Sequence, residues 1–558
     1  MIKKREKRII GSIITVAMIA SITLVNIGKI EIMNGKGKGI FKSVGDRGLV
    51  DYTLEFNPST NKFTNSNTGE EISSSDLATM GISYSEISGD DTITLEDTNF
   101  STARNEAIKI VDSGEYVDVN IVLKGSNIIV ASYESSKTEF SGICNDNGAL
   151  NFSGNGVLDV SITDNGEEYS SVIRTETAAI HAPTVEIDGP TINASVNGTK
   201  GFGVKCGNLE MNSGSLNVKV HGIHNVAGVN SGYGVEINGG SVNVDVSTNG
   251  GWAYGIVGGI QDSTDSIDIN GGDIKVKVGG YIKDVEELKA VVKKFESEVD
   301  KKGTTVENVI GYIDAAKEQQ NVVYVKELQT AINANFTGGY TSFENIKNAI
   351  VEVLSKVGGC GFDTSITNIN GGAVDIEIDG LHKTGINVAS SNGEGIKIDN
   401  GASLKIHGDV DSCGVYGTDY SSKGIFSEGQ TLFNEGKVDI VLENSTKMSD
   451  GTVGLYVKNN NFLMNVGANI YIDVIQGFGM KFDSTGFCYI NAGRAVIKGG
   501  VVAYDSNVRS LQFKDISGED GGSDVIAAAN DYEGKESILI GKEGVENPFT
   551  VKRIQVWQ

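Results

Sequence analysis

The sequence contains little proline and little cysteine. It has 4 Pro against 73 Gly, so tight glycine turns are plentiful while few prolines interrupt a strand. The five cysteines form no closely spaced pair; they are Cys144, Cys206, Cys360, Cys413 and Cys488. An odd number of scattered cysteines is not a disulfide framework, and we interpret them as small apolar side chains of a core.

Positive charge is also scarce. The chain has 47 Lys and Arg against 72 Asp and Glu, which gives a formal net charge of −25. Because nucleic-acid binding requires clustered basic side chains, we expect no nucleic-acid partner. No phosphate-binding loop, dinucleotide fingerprint or Ser-His-Asp order is present. The excess of carboxylates is typical of a soluble extracellular surface and leaves ligands available for cations.

The sequence is rich in one short repeat, best seen in residues 232–246, GYGVEINGGSVNVDV. Apolar and polar residues alternate before the corner Asn238-Gly239-Gly240, and they alternate again after it. Alternation of this kind predicts two short strands, each with one buried side, joined by a turn.

The spacing of the corner asparagines predicts the architecture. Successive corners are 26, 32, 100, 30, 34, 31 and 26 residues apart, which suits stacked coils of a solenoid in all but one step. Since each coil has an apolar side that only a neighbour can cover, we predict an all-β fold, a right-handed parallel β-helix. Stacked amides can hydrogen-bond between coils, so we predict a structural ladder of Asn212, Asn238, Asn270, Asn370, Asn400, Asn434, Asn465 and Asn491.

The long step marks an insertion. Residues 281–357 are rich in Glu, Lys, Ala and Leu, with apolar residues at three- and four-residue spacing, which predicts a small α-helical bundle. At the start of the chain, a basic head and an apolar run over 9–27 predict a signal sequence or an uncleaved membrane anchor, which places the body outside the cell. The predicted organisation is 1–27 head and signal or anchor helix, 28–90 stalk and N-terminal cap, 91–280 first part of the β-helix, 281–357 helical insertion, 358–504 second part of the β-helix, and 505–558 β-rich C-terminal cap.

Two groups of residues are candidates for binding. Aromatic residues near glycines could stack outward as a platform for sugar rings or pack inward as core; the ligand-binding candidates are Tyr233, Trp252, Tyr254 and Tyr416. Asp262, Asp265 and Asp268 form an acidic cluster that could bind Ca²⁺, because calcium takes several oxygen ligands. The spacing matches no fixed calcium-loop pattern, which favours a solvated turn. No catalytic residues are assigned, although Asp375 and Glu377 lie on one face of a strand, as a carboxylate pair would.

The coil motif G-[FY]-G-V, strand, NGG corner and V-x-V-x-V strand resembles bacterial secreted parallel β-helix proteins of the pectate-lyase-like superfamily. Within that superfamily, residues 92–130 are similar to the carbohydrate-binding β-helix family of Gram-positive surfaces. The resemblance implies binding of an acidic polysaccharide, with calcium. We therefore expect an extracellular, surface-displayed, non-catalytic carbohydrate-binding or adhesion protein. The alternatives are a calcium-dependent polysaccharide lyase or glycosidase, and a structural protein that binds a host or self surface protein through the insertion.

Overall fold

The structure is a computed structural model, and it describes much of the chain between residues 49 and 556. The described ranges are 49–87, 89–111, 114–133, 139–164, 176–222, 225–248, 251–259, 264–280, 358–389, 394–411, 421–443, 452–458, 460–465, 467–474, 478–483, 487–490, 494–499, 502–506, 510–513, 525–528, 537–539 and 553–556. Several predictions fall outside the described residues. They concern the head and anchor (1–27), the helical insertion (281–357), Tyr416, Asp262 and Asn491. The chain divides into two units, Met1–Val50 and Asp51–Gln558, and the β-helix lies within the second.

The fold is an all-β parallel β-helix, as the repeat predicts. Each coil contributes strands to three faces, and each strand pairs in parallel with the equivalent strand of the next coil. The first face consists of β1 (Leu54–Asn57), β6 (Glu106–Ile110), β9 (Glu139–Asn145), the N-terminal halves of β12 (Glu176–Asp188), β14 (Lys200–Met211) and β16 (Val226–Ile237), β18 (Trp252–Gly258), β21 (Gly358–Thr364), β25 (Lys383–Val388), β28 (Lys423–Ser427), β31 (Val453–Lys458), β34 (Phe478–Asp483) and β37 (Val502–Ser506).

The second face continues from the first. Its strands are β4 (Asp90–Glu96), β7 (Val119–Lys124), β10 (Ala149–Gly154), the C-terminal halves of β12, β14 and β16, β19 (Ser266–Ile269), β22 (Ile366–Ile369), β26 (Glu394–Ile398), β29 (Gln430–Phe433), β32 (Phe462–Met464), β35 (Phe487–Ile490) and β38 (Ser510–Phe513). Because β12, β14 and β16 run through both faces, the two faces form one 25-stranded sheet.

The third face is a separate 16-stranded sheet. Its parallel strands are β5 (Asn99–Thr102), β8 (Ser126–Tyr133), β11 (Val157–Asp164), β13 (Thr191–Gly198), β15 (Ser215–Gly222), β17 (Ser241–Thr248), β20 (Asp273–Gly280), β23 (Ala373–Ile378), β27 (Ala402–Asp411), β30 (Gly436–Glu443), β33 (Ala468–Val474) and β36 (Arg494–Gly499). Strand β24 (Gly380–Leu381) pairs with the end of β27.

Antiparallel strands lie at both ends of the stack. At the start, β2 (Lys62–Asn65) pairs with β1 and β3 (Ile82–Ile87) pairs with β4, while helix α1 (Ser74–Thr79) is capped by the Ser73 hydroxyl. At the other end, β41 (Arg553–Val556) pairs with β36 and with β39 (Val525–Ala528), which also pairs with β40 (Ser537–Leu539). Pairs of this kind cover open strand edges of a solenoid. Parallel stacking itself continues to β38, past residue 504, the predicted end of the solenoid.

The core lies between the faces and follows the two-residue period of the strands. On β17, Val242, Val244 and Val246 are buried while the residues between them point outward. The neighbouring coils align in register, so Val242 lies beside Leu216 and Ile274. Like side chains therefore stack from coil to coil, and each coil covers the apolar side of the next.

The asparagine ladder runs along the corner between the second and third faces. Asn238 donates to Asn212 at 3.0 Å, Asn270 to Asn238 at 2.9 Å, Asn370 to Asn270 at 3.2 Å and Asn465 to Asn434 at 2.7 Å. One predicted member is displaced: Asp399, not Asn400, occupies the corner and accepts from the Asn434 amide at 3.2 Å. The backbone explains the shift, because the Asp399 N–H bonds the Ile369 carbonyl, as each corner Asn bonds the coil before it. Asn400 is one residue further along, with a left-handed φ of +51°.

Candidate functional site

The outward side of the third face carries a groove of about 470 Å³. Two rows of outward side chains line it, and each row is aligned by the parallel register of β13 to β27. The first row is Asn193, Asn217, Asn243, Lys275, Asp375 and Lys405, and the second is Ser195, Lys219, Asp245, Lys277, Glu377 and His407. Because neighbouring strands are about 4.8 Å apart, the two rows form a long regular array of polar groups.

The N-terminal half of the first row is a chain of amides. Asn193 donates to Asp159 at 2.6 Å, and Asn217 and Asn243 each donate at 2.8 Å to the asparagine before them. A side-chain amide has two N–H bonds, and one is sufficient for the row. The second N–H of each amide can therefore be offered to a hydroxyl or carboxylate group of a ligand.

The C-terminal half of the groove is charged. Lys277 donates to Glu377 at 2.6 Å, and Asp375 accepts from Lys405 at 3.2 Å and contacts Nε2 of His407 at 2.9 Å. Burial by itself would lower the pKa of Lys277, but the hydrogen bond and charge of Glu377 outweigh it and raise that pKa, so the ammonium stays charged. Four lysines and three carboxylates line the groove, which contrasts with the overall net charge of −25.

Two of the predicted aromatic residues, Trp252 and Tyr254, lie outside the groove, on the first face. The rings of Trp252 and Tyr254 stack with centroids 6.0 Å apart, and His382 meets Trp252 edge-on at 4.9 Å. Tyr254 packs beside Phe202 and Ala227 and is only partly exposed; burial raises the pKa of its phenol. Tyr233 is 64% exposed and lies near the backbone of Gly207. Trp252 and Tyr254 thus form one patch, outside the groove.

The predicted calcium ligands Asp265 and Asp268 have different surroundings. The Asp265 carboxylate is buried against Gly259. Asp268 points outward on β19 and accepts from the Asn368 amide at 2.7 Å. Register places Asp268 beside Glu236 in a column of carboxylates that continues through Glu210 and Glu186. Burial, followed by the charge of Glu210, raises the pKa of Glu186. The calcium site therefore stays a prediction.

Comparison with known proteins identifies no relative: no protein-family model, no curated protein and no solved structure matches the chain. Within the described residues, no helix is long and apolar enough to cross a membrane. What is known of the site therefore comes from its own geometry.

Sequence reasoning identified Asp375 and Glu377 but missed the rest of the groove. The signal was present in the polar positions of each V-x-V-x-V segment, where Asn193, Asn217 and Asn243 recur at equivalent places. These positions become two continuous rows only once the coil-to-coil register is known. The same register aligns Cys144 and His181, which are far apart in sequence.

Proposed function

We propose that this protein is an extracellular, non-catalytic parallel β-helix that binds an acidic polysaccharide along the third-face groove. The observation that carries the proposal is the combination of a row of amides and four lysines in one groove of a strongly acidic protein. Amide groups can hydrogen-bond sugar hydroxyls, and lysine ammonium groups can form ion pairs with the carboxylates of uronic acids. The resemblance of the coil motif to surface-displayed carbohydrate-binding β-helix proteins supports the same choice of ligand.

The contacts within the groove also support binding without catalysis. Both members of the candidate pair, Asp375 and Glu377, are engaged by a lysine. A carboxylate held in an ion pair is a poor general acid, because the neighbouring cation stabilises its charged form. A glycosidase needs one carboxyl group kept protonated near neutral pH.

One contact supports a second candidate, a polysaccharide lyase. His407 lies 2.9 Å from Asp375, so a carboxylate orients an imidazole within the groove. An imidazole oriented in this way can take up a proton, as β-elimination from a uronic acid requires. The calcium that such an enzyme would use stays an expectation from the sequence.

A glycan array that includes polyuronates and neutral polysaccharides tests the proposal. We expect the full chain to bind polyuronates, with affinity that falls as salt is added. Lys277→Ala and Lys405→Ala should each weaken polyuronate binding about tenfold or more. Each substitution removes a charge-assisted hydrogen bond from the lysine to a carboxylate of the ligand. Lys437→Ala is the matched control, because Lys437 also lies on the third face, on β30, but does not line the groove.

Three results would contradict the proposal. The array could be silent, the control variant could lose as much affinity as the groove variants, or the chain could retain a host or self surface protein and no glycan. The last result would favour an adhesion protein. Product release from a polyuronate that His407→Ala abolishes would favour the lyase instead.

A further inference from the structure

A second cluster of side chains lies on the outer side of the first face, away from the groove. Strands β6, β9 and β12 are consecutive there, and register aligns Lys109 with Cys144 and Cys144 with His181. Asp146 follows directly after β9. Its position is fixed by Asn145, whose amide bonds the carbonyls of Val117 at 3.0 Å and Ala149 at 3.1 Å. The cluster is therefore built on two paired strands and a braced turn.

Three potential metal ligands converge in this cluster. Sγ of Cys144 lies 3.0 Å from Oδ1 of Asp146 and 3.8 Å from Nδ1 of His181, and Nδ1 of His181 lies 3.9 Å from Oδ1 of Asp146. Among the residues that the structure describes, no other three His, Cys, Asp or Glu side chains come close enough to share an ion.

We propose that Cys144, Asp146 and His181 form a binding site for a zinc-class divalent transition metal. In a tetrahedral zinc site the sulfur is about 2.3 Å from the metal and the nitrogen and oxygen about 2.0–2.2 Å, so the ligand atoms are about 3.3–3.6 Å apart. The three observed separations bracket this range, so each needs to change by less than about 1 Å for all three atoms to bind one ion. A thiolate, an imidazole and a carboxylate are the ligand types that zinc prefers, whereas calcium takes only oxygen.

The neighbouring charges are compatible with a cation. Lys109 is the nearby ammonium group, and it contacts the other oxygen of Asp146, Oδ2, at 3.4 Å while it bonds Glu106 at 2.7 Å. Oδ1 of Asp146 can therefore bind the metal while Oδ2 stays with Lys109, an outer contact of the kind that orients metal ligands. Binding replaces the thiol proton of Cys144, which is released to solvent, by the metal ion.

The exposure of the ligands suggests a site with one open position. Cys144 is 2% exposed, while the side chains of His181 and Asp146 are 27% and 45% exposed. The metal would thus be held from the protein side by sulfur and would face solvent between the other two ligands. Three protein ligands leave the fourth tetrahedral position to water. Since the ligands come from two successive coils, the metal would also link those coils.

Cobalt(II) and zinc titrations of the untagged full chain test this site. Cobalt should bind at one equivalent and give a thiolate-to-cobalt absorption band. Cys144→Ser should abolish the band, and His181→Ala and Asp146→Asn should each weaken zinc binding at least about tenfold. Cys206→Ser is the matched control, because Cys206 is a buried free cysteine of the same face, and it should leave both readouts unchanged.

The proposal is overturned if the band is absent, if it survives in Cys144→Ser, or if Cys206→Ser removes it. Far-UV circular dichroism establishes that each variant is folded. Should Cys144→Ser not fold, the band and the zinc affinity of His181→Ala and Asp146→Asn decide the question, and unchanged values in both would exclude the site. Zinc should also raise the thermal midpoint of the wild type and not that of Cys144→Ser.

Discussion

At the scale of single residues, Lys383 is a charged side chain in a buried, apolar position. Register places it beside Gly359, which is itself beside Ala253 in the apolar interior, and only 1% of Lys383 is exposed. Its ammonium donates to the Gly358 carbonyl at 2.7 Å. Burial lowers the pKa of Lys383 to about 8, from 10.5 when free. The charge of Asp379 offsets only part of the effect of burial, so the buried ammonium costs free energy that an apolar side chain would not.

Lys383→Met should therefore stabilise the protein at pH 7, by about 1–3 kcal/mol. The stability advantage of Lys383→Met over the wild type should depend on pH. Below pH 8 the lysine is charged in both states, so the folded state bears the full penalty. Between about pH 8 and 10.5 the folded state is neutral while the unfolded chain still binds the proton, and wild-type stability rises. Chemical denaturation at pH 7, 8, 9 and 10 checks this. The prediction would be wrong if the difference in unfolding free energy between Lys383→Met and the wild type did not shrink as pH rises.

At the scale of elements, a column of glycines allows the first and third faces to approach each other closely. Its members are Gly203, Gly228, Gly255, Gly361, Gly385, Gly424 and Gly454. A Cβ atom at Gly361 would lie 2.4 Å from the Gly385 carbonyl oxygen in the next coil and 2.5 Å from Cγ2 of Ile376 on the third face. These contacts are far shorter than van der Waals distance, so a Cβ atom does not fit at these positions unless the neighbouring backbone moves.

Gly361→Ala should thus destabilise the β-helix by about 3 kcal/mol or more, because the nearest obstacle is backbone that cannot rotate away. Gly279→Ala is the matched control. Gly279 lies on β20, where an added Cβ would meet no atom of the described residues within 4 Å, so we expect a change of less than about 0.5 kcal/mol. Denaturant unfolding of both variants measures the difference. Equal effects at the two positions would show that close approach of the faces does not explain the glycine column.

The same elements show how much could be predicted from the sequence. The strands and corners were predictable because inward residues such as Val242 and Val244 alternate with a period that only a strand produces. The outward clusters were not, because they depend on register. A shift of one residue puts Asp399 at the corner in place of Asn400, and Cys144 and His181 are 37 residues apart in sequence. Periodicity identifies which residues point outward, but not which of them become neighbours.

At the scale of the whole molecule, the parallel stack continues across the longest gap in the repeat. Strands β18 and β21 pair in register from Trp252 with Gly358 onward, and β20 pairs with β23 from Asp273 with Ala373 onward. Elsewhere, a third-face strand reaches the next first-face strand through a short segment: residues 223–225 join β15 to β16, and 249–251 join β17 to β18. The pairing around β20 and β21 therefore has the geometry of an ordinary coil junction.

From this geometry we expect that residues 281–357 can be replaced by Asn-Gly-Gly, the sequence of the 249–251 junction, without loss of the β-helix. In a solenoid, stability comes from each coil and its contacts with its neighbours, and those contacts lie on either side of the replaced segment. Far-UV circular dichroism should retain the strand signal, and the thermal midpoint should change by only a few degrees, about what 1 kcal/mol produces in a large domain. Glycan binding in the groove should persist, while binding of a protein partner through the replaced segment should vanish. Loss of cooperative unfolding in this variant would mean that the two halves of the stack depend on the intervening residues.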